Sequence, residues 1–307
     1  MPAEKSVPTG TESYADEKFL SADLFDISGK VALITGGATG IGKIFAQALV
    51  CNGARVYITS RNKARIDDVV EEVNRVYGGV NGGQCIGLAQ RLGTKAQCDA
   101  LARELRRREK EVHILIHAAA QRWSGHMHTA PELESFDGIF SLNVKSVYYL
   151  TVAMESLLER GSRGVDDPAR VITIGSVEGV AGRGQDAKGN VAPGFWASQA
   201  AVLQMTRNLA LMLAKRFITV NCMAPGAITA TESTIAKQPT GKVASPEDIA
   251  GTILFMVSRA SAHFLGTVIP VDGGSGLGKV DLLPSDVAIK RLDEEEAAER
   301  ARAAAKL

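Results

Sequence analysis

From residue 30 to about residue 274 the chain alternates short, nearly continuous apolar runs with stretches of helical periodicity, and no other feature limits its possible folds so sharply. The apolar runs fall at 31–35, 55–59, 84–88, 112–117, 170–174, 218–222 and 267–271. Helical patterns at 41–51, 63–76, 95–109, 144–159, 197–214 and 246–258 separate most of them. A strand that is apolar along its whole length is one buried on both faces, as in a parallel sheet covered by helices. Right-handed crossovers between such strands give an α/β, doubly wound parallel sheet of about seven strands. There is no internal repeat and no second compositional regime, so residues 27–275 read as one domain. Residues 1–26 form an N-terminal arm, and residues 276–307 a C-terminal extension that is partly helical. Within the extension, Glu296 and Arg300 stand at i,i+4 spacing, a pair worth ~0.2–0.5 kcal/mol.

Bulk properties exclude several function classes. A net charge of +1 offers no electrostatic case for nucleic acid or an anionic membrane. No apolar run approaches the ~18 residues of a membrane span, and the acidic N-terminus lacks the apolar stretch of a secretory signal. Cys51, Cys85, Cys98 and Cys222 follow no metal or redox spacing and read as reduced thiols of a cytoplasmic protein. His126 and His128 form a His-x-His without a third ligand, so no metal is expected.

Between the first strand and the first helix lies Thr35–Gly36–Gly37–Ala38–Thr39–Gly40–Ile41–Gly42. Glycines let such a turn bend tightly and approach a pyrophosphate, while the helix N-terminus faces the negative charge. In this strand–turn–helix context the pattern resembles the short-chain dehydrogenase/reductase family, of the ketoreductase type found in secondary metabolism. The resemblance extends over about residues 27–275. It takes in Asn143, Ser176, the segment 221–226 (NCMAPG) and the segment 271–274 (VDGG). It implies a Rossmann-like fold and a dinucleotide held by Gly36, Gly40, Ile41 and Gly42. Arg61 stands where the family selects its cofactor, and a basic residue there suits the 2′-phosphate of NADP rather than NAD. Two further cofactor positions depart from the family. Arg91 stands where an acid usually meets the adenine amino group, and His117–Ala118–Ala119–Ala120 replaces Asn-Asn-Ala-Gly. A Cβ at position 120 is expected to crowd the cofactor or to force unusual backbone angles.

The resemblance also implies a tetrad of Asn, Ser, Tyr and Lys. Asn143 and Ser176 are in place, but the segment Gly194–Phe195–Trp196–Ala197–Ser198–Gln199 puts Phe195 at the Tyr position and Gln199 at the Lys position. Phenylalanine has no proton to give, and glutamine carries no charge. General acid–base catalysis is worth roughly 10²–10⁴ in rate, so ordinary ketone reduction should be very slow. Tyr14 and Lys18 have the Tyr-x-x-x-Lys spacing but fall in the arm. Glu178 is the candidate replacement acid, its proton held by an apolar pocket, and Asp186 and Lys188 lie in a polar loop, 182–193, ahead of the catalytic helix. Arg122 and Trp123, with Phe195 and Trp196, are expected to line a pocket for a flat or polycyclic ligand. Thr229 and Thr231 are candidates for a nicotinamide contact, and residues 245–248 (SPED) for a helix start.

Three readings follow. The first is a non-redox enzyme (isomerase, lyase or cyclase) acting on a small organic substrate in the old cleft, with NADP(H) not required or bound weakly. The second is an NADP-dependent oxidoreductase with replacement residues. The third is a non-catalytic binding or partner subunit. Family resemblance implies a homodimer or homotetramer, with the run 202–213 as one contact.

Overall fold

Each apolar run folds as a strand of a sheet whose two faces are both covered by helices. The computed structural model describes residues 19–277, apart from 183, 187, 229–234, 236 and 237. Its strands are β1 Val31–Thr35, β2 Arg55–Ser60, β3 Gln84–Ala89, β4 Ile114–His117, β5 Gly125–His126, β6 Ala169–Ile174, β7 Asn190–Val191, β8 Ile218–Pro225 and β9 Val268–Val271. Seven of them form one parallel sheet in the order β3-β2-β1-β4-β6-β8-β9. The helices are α1 Ser21–Leu24, α2 Gly40–Cys51, α3 Lys63–Tyr77, α4 Lys95–Arg108, α5 Gly138–Phe140, α6 Ser146–Gly161, α7 Pro193–Leu213 and α8 Pro246–Val257.

Side chains alternate across the strands, so the sheet has two cores. Ala32 and Ile34 of β1 pack with Phe45, Leu49, Val69 and Ile253 from α2, α3 and α8. Leu33 between them faces the opposite way, against Leu101, Leu150, Met154 and Leu209 from α4, α6 and α7. Start signals in the sequence act as such. Thr94 and Gln97 close a capping box on α4, and Ser245 and Asp248 close another on α8, with Pro246 in its first turn.

Three departures from the sequence reading bear on the site. α7 begins at Pro193, four residues earlier than its apolar periodicity, because a proline is tolerated in the first turn. Helical backbone precedes α6 through two π-turns, Leu133–Asp137 and Ser141–Lys145, which the 3.6-residue period does not reveal. The polar loop after β6 is exposed along most of its length, as its composition suggests, but it ends in a short strand that the sequence reading lacks. Asn190 and Val191 pair antiparallel with His126 and Gly125, tying that loop to the one after β4. Tyr14, Lys18, Thr229, Thr231, Glu296 and Arg300 lie outside the described residues, as do most of the arm and the extension. Among the described residues no helix is long and apolar enough to cross a membrane.

Candidate functional site

The strand order reverses between β1 and β4, which opens a crevice beyond their carboxyl ends. The glycine turn lines it. Gly36 has φ +70°, and its N–H donates to the Thr59 carbonyl at 2.8 Å. A Cβ on Gly36 would come within 2.8 Å of the Ala119 Cα, so the turn and the segment after β4 touch backbone to backbone. A Cβ on Gly42 would strike the Gly36 carbonyl oxygen. Gly40 has φ +50° and open space on its Cβ side. Ile41 is partly buried against the first core and anchors the start of α2. Thr39 makes no capping hydrogen bond, so the first-turn N–H groups of α2 have no side chain to satisfy them and suit an anion.

At the ends of β2 and β3, Arg61 and Arg91 are exposed and make no ion pair with described residues. After β4 the chain turns at His117, whose Nε2 lies 2.9 Å from the Thr151 hydroxyl on α6. Burial pushes the His117 pKa down to about 3, and its Nδ1 has no partner among the described residues. Ala119 N–H donates to the Thr35 hydroxyl at 3.1 Å. Ala120 corrects the expectation of unusual backbone angles. It is exposed and not in the left-handed region, which among described non-glycine residues holds only Asn81 and Phe217. Its methyl group therefore strains nothing in the backbone.

Asn143, in the second π-turn, is buried and fully engaged. Its Oδ1 accepts from Gln121 N–H at 2.8 Å, while Nδ2 donates to the Gln121 carbonyl at 3.0 Å and to the Ser198 hydroxyl at 3.1 Å. Ser198 in turn donates to the Phe195 carbonyl at 2.8 Å. Asn143 thus fastens the post-β4 segment to the head of α7. Sequence reasoning missed Gln121 and Ser198; only Ser198 carried a signal, its place inside the segment around Phe195 and Gln199.

Ser176 opens a short turn after β6, and its hydroxyl accepts from Glu178 N–H at 3.1 Å. A Cβ on Gly179 of that turn would come within 2.9 Å of Gln199 Cβ, so the turn packs directly on α7. Gln199 is buried, and its Oε1 has no hydrogen-bond partner among the described residues. The structure overturns the apolar pocket expected for Glu178. Its Oε2 lies 2.8 Å from Arg122 Nη1, so its neighbour is a guanidinium. Arg122 also stacks on Phe195, its Cζ 4.8 Å from the ring centroid. Trp123 packs beneath Gly125, where a Cβ would come within 2.7 Å of the indole. Trp196 follows Phe195 on α7, partly buried, with an unpartnered indole N–H. Asp186 does not reach over the site; its carboxylate accepts from Lys188 and Asn190 N–H, each at 2.8 Å, and shapes its own loop. Among the described residues no cluster of His, Cys, Asp and Glu could hold a metal, His126 and His128 included.

The family model for short chain dehydrogenases matches residues 30–241. The rhamnolipids biosynthesis 3-oxoacyl-[acyl-carrier-protein] reductase of Pseudomonas aeruginosa is 32% identical over 262 residues, covering 81% of this chain and 97% of that protein. The short-chain dehydrogenase/reductase PhomF of Diaporthe leptostromiformis is 30% identical over 297 residues, 87% of this chain and 96% of that one. Among solved structures, the Pseudomonas aeruginosa RhlG/NADP active-site complex is 31% identical with a TM-score of 0.75, covering 82% of this chain and 98% of its own.

Proposed function

The chain belongs to the short-chain dehydrogenase family, and from that premise we propose that it binds NADP(H) at the carboxyl ends of its strands but does not perform ordinary ketone reduction there. The reading is carried by the close-packed glycine turn ahead of α2, taken together with Phe195 and Gln199 at the head of α7, which by resemblance stand at the family's Tyr and Lys positions.

The residues fit the cofactor. The turn through Gly36, Gly40, Ile41 and Gly42, with the uncapped start of α2, would hold the pyrophosphate. Arg61, exposed and unpaired among described residues, would meet the 2′-phosphate. Gln199 Oε1, a buried acceptor without a donor, suits a ribose hydroxyl. The bound nicotinamide supplies hydride chemistry. The chain's own contribution is narrower. Ser176 retains an O–H to donate to a substrate oxygen, since its interaction with Glu178 N–H uses only a lone pair. Asn143 holds the surrounding segments in place. Phe195 supplies an apolar wall and no proton. The relatives named as reductases, and the related structure named as an NADP complex, support a nucleotide site.

A second reading, an isomerase, lyase or cyclase that works without hydride transfer, draws support from the Arg122–Glu178 pair, which sets a cation and a carboxylate beside Ser176. The family's habit of pairing through its long helices suits the exposed Leu211 and Met212 of α7, and we take the chain to be a homodimer or homotetramer.

Calorimetric titration with NADPH and NADH tests the main reading. NADPH should bind at least about tenfold tighter than NADH, a preference of ~1.4 kcal/mol, and Arg61→Ala should erase the difference. NADPH consumption at ordinary enzymatic rates on a panel of ketones would refute the loss of carbonyl reduction; absence of nucleotide binding would refute the nucleotide site.

A further inference from the structure

We propose that Arg122 is the anchor for a substrate carried into this cleft as a planar organic carboxylate, and that Glu178 is the internal stand-in that holds Arg122 until the substrate arrives. The proposal rests on the reading of the cleft beside Ser176 as the substrate site.

The geometry argues it in three steps. First, Arg122 is fixed from two directions. Its Nη1 meets Glu178 Oε2 at 2.8 Å, and its Cζ stands 4.8 Å from the centre of the Phe195 ring. A guanidinium stacked on an aromatic face loses little further freedom when it binds a ligand. Second, Arg122 has donors to spare. It carries five N–H groups, and among described residues the contact with Glu178 is made through Nη1. A planar carboxylate can take two of these in parallel, a geometry that a lone Glu178 oxygen does not fill. Third, the pair can exchange. The Arg122 side chain is 48% exposed and that of Glu178 25%, and a partly hydrated ion pair of this kind is weak. A buried pair would resist displacement; this one yields to an anion that also gains contact with the ring.

Placement ties Arg122 to the rest of the cleft. Glu178 lies two residues after Ser176 in one short turn, and Ser176 Oγ accepts from Glu178 N–H. Phe195 occupies the first turns of α7 beside that segment. The cation therefore sits over the residue that replaced the family's phenol. Where relatives offer a hydroxyl to a neutral carbonyl, this chain offers a positive charge. A neutral ketone gains little by displacing Glu178, whereas an anion gains a charge-assisted pair. Trp123 and Trp196 follow Arg122 and Phe195 in sequence, and aromatic surface at these positions would suit a flat body attached to the acid.

The test uses the full chain with NADP⁺ present and absent, and two matched probes, 2-naphthoate and its uncharged analogue 2-naphthamide, titrated by calorimetry. The carboxylate should bind at least about tenfold tighter than the amide. Arg122→Lys, which keeps the charge but loses the fork and the stack, should cost the carboxylate about tenfold and the amide little. Glu178→Gln, which removes the competitor, should tighten the carboxylate several-fold. Far-UV circular dichroism serves as the control for folding, and NADP⁺ affinity should be unchanged in both variants. Equal affinity for the two probes, no binding of the carboxylate, or a carboxylate affinity indifferent to Arg122→Lys overturns the proposal. If NADP⁺ fails to bind while the probe pattern holds, the nucleotide reading falls and the Arg122 anchor stands.

Discussion

His117 shows what one residue can impose on a fold. The fourth strand ends in a buried imidazole, bonded to Thr151 through Nε2. Burial holds its pKa at about 3 against 6.5 for the free side chain. As pH falls below 6.5 the unfolded chain takes up a proton at this position and the folded chain does not. Stability is therefore fully present above the unfolded pKa and is lost progressively as pH drops toward the folded one. His113 acts in the same direction: burial lowers its pKa, and its Nδ1 accepts from Val31 N–H at 3.0 Å, which requires that nitrogen to be unprotonated. Urea unfolding measured from about pH 6.5 down to about pH 5 should show falling stability, and His117→Gln should reduce that slope by up to ~1.4 kcal/mol per pH unit. An unchanged slope in the variant would show that His117 is protonated in the fold.

The element that matters most to the site is the helical rod that runs through two π-turns into α6. The second, Ser141–Lys145, contains Asn143, and π-turns inside helices are often found at functional positions. Asn143 satisfies both the N–H and the carbonyl of Gln121, the residue immediately before Arg122. Asn143→Ala should leave those main-chain groups without their partner and destabilise the chain by about 2–3 kcal/mol. It should also loosen the Arg122 contact with Phe195, read as a weaker response of the naphthoate probe. Native-like stability in a urea melt of this variant would remove the positioning role. The ribbon of β5 and β7 works on the same segment from the other side, through Gly125 and His126.

At the scale of the whole molecule, the candidate site lies at one end of the sheet and a cluster of charged residues at the other. Beyond the amino ends of β1, β4 and β6, a cavity of about 420 Å³ is lined by Lys30, His113, Arg163, Asp167 and Arg259. There Lys30 meets Asp167 at 2.7 Å, and the fully buried Arg170 donates to the Ser258 carbonyl at 2.8 Å. These bonds join β1, β6 and the end of α8, so this cavity serves the framework. The outer face of α7 is different. Leu211 and Met212 are 77% and 58% exposed, more apolar surface than a lone helix face profits from leaving in water. Sedimentation should return a dimer or tetramer for the wild-type chain and a monomer for Leu211→Glu combined with Met212→Lys. A wild-type monomer at micromolar concentration would refute assembly through α7.

The sequence by itself determined the sheet and its helices. Apolar runs alternating with helical periodicity read as parallel strands under helices, and the glycines at 36, 40 and 42 are required by a turn with no room for a side chain or with a left-handed φ. It also put Phe195 and Gln199 inside a segment that resembles the family's catalytic helix, because a resemblance is a matter of residue types within a motif. Only the tertiary structure decided what surrounds them. Arg122 and Glu178 are 56 positions apart, and nothing in local periodicity or composition couples them. Their meeting depends on two loops leaving adjacent strands, β4 and β6, at the same edge of the sheet. The same holds for Asn143 and Ser198, 55 positions apart. Strand propensity and helix period are local properties of a chain, whereas the electrostatic surroundings of a side chain are set by whatever the fold brings within a few ångströms of it.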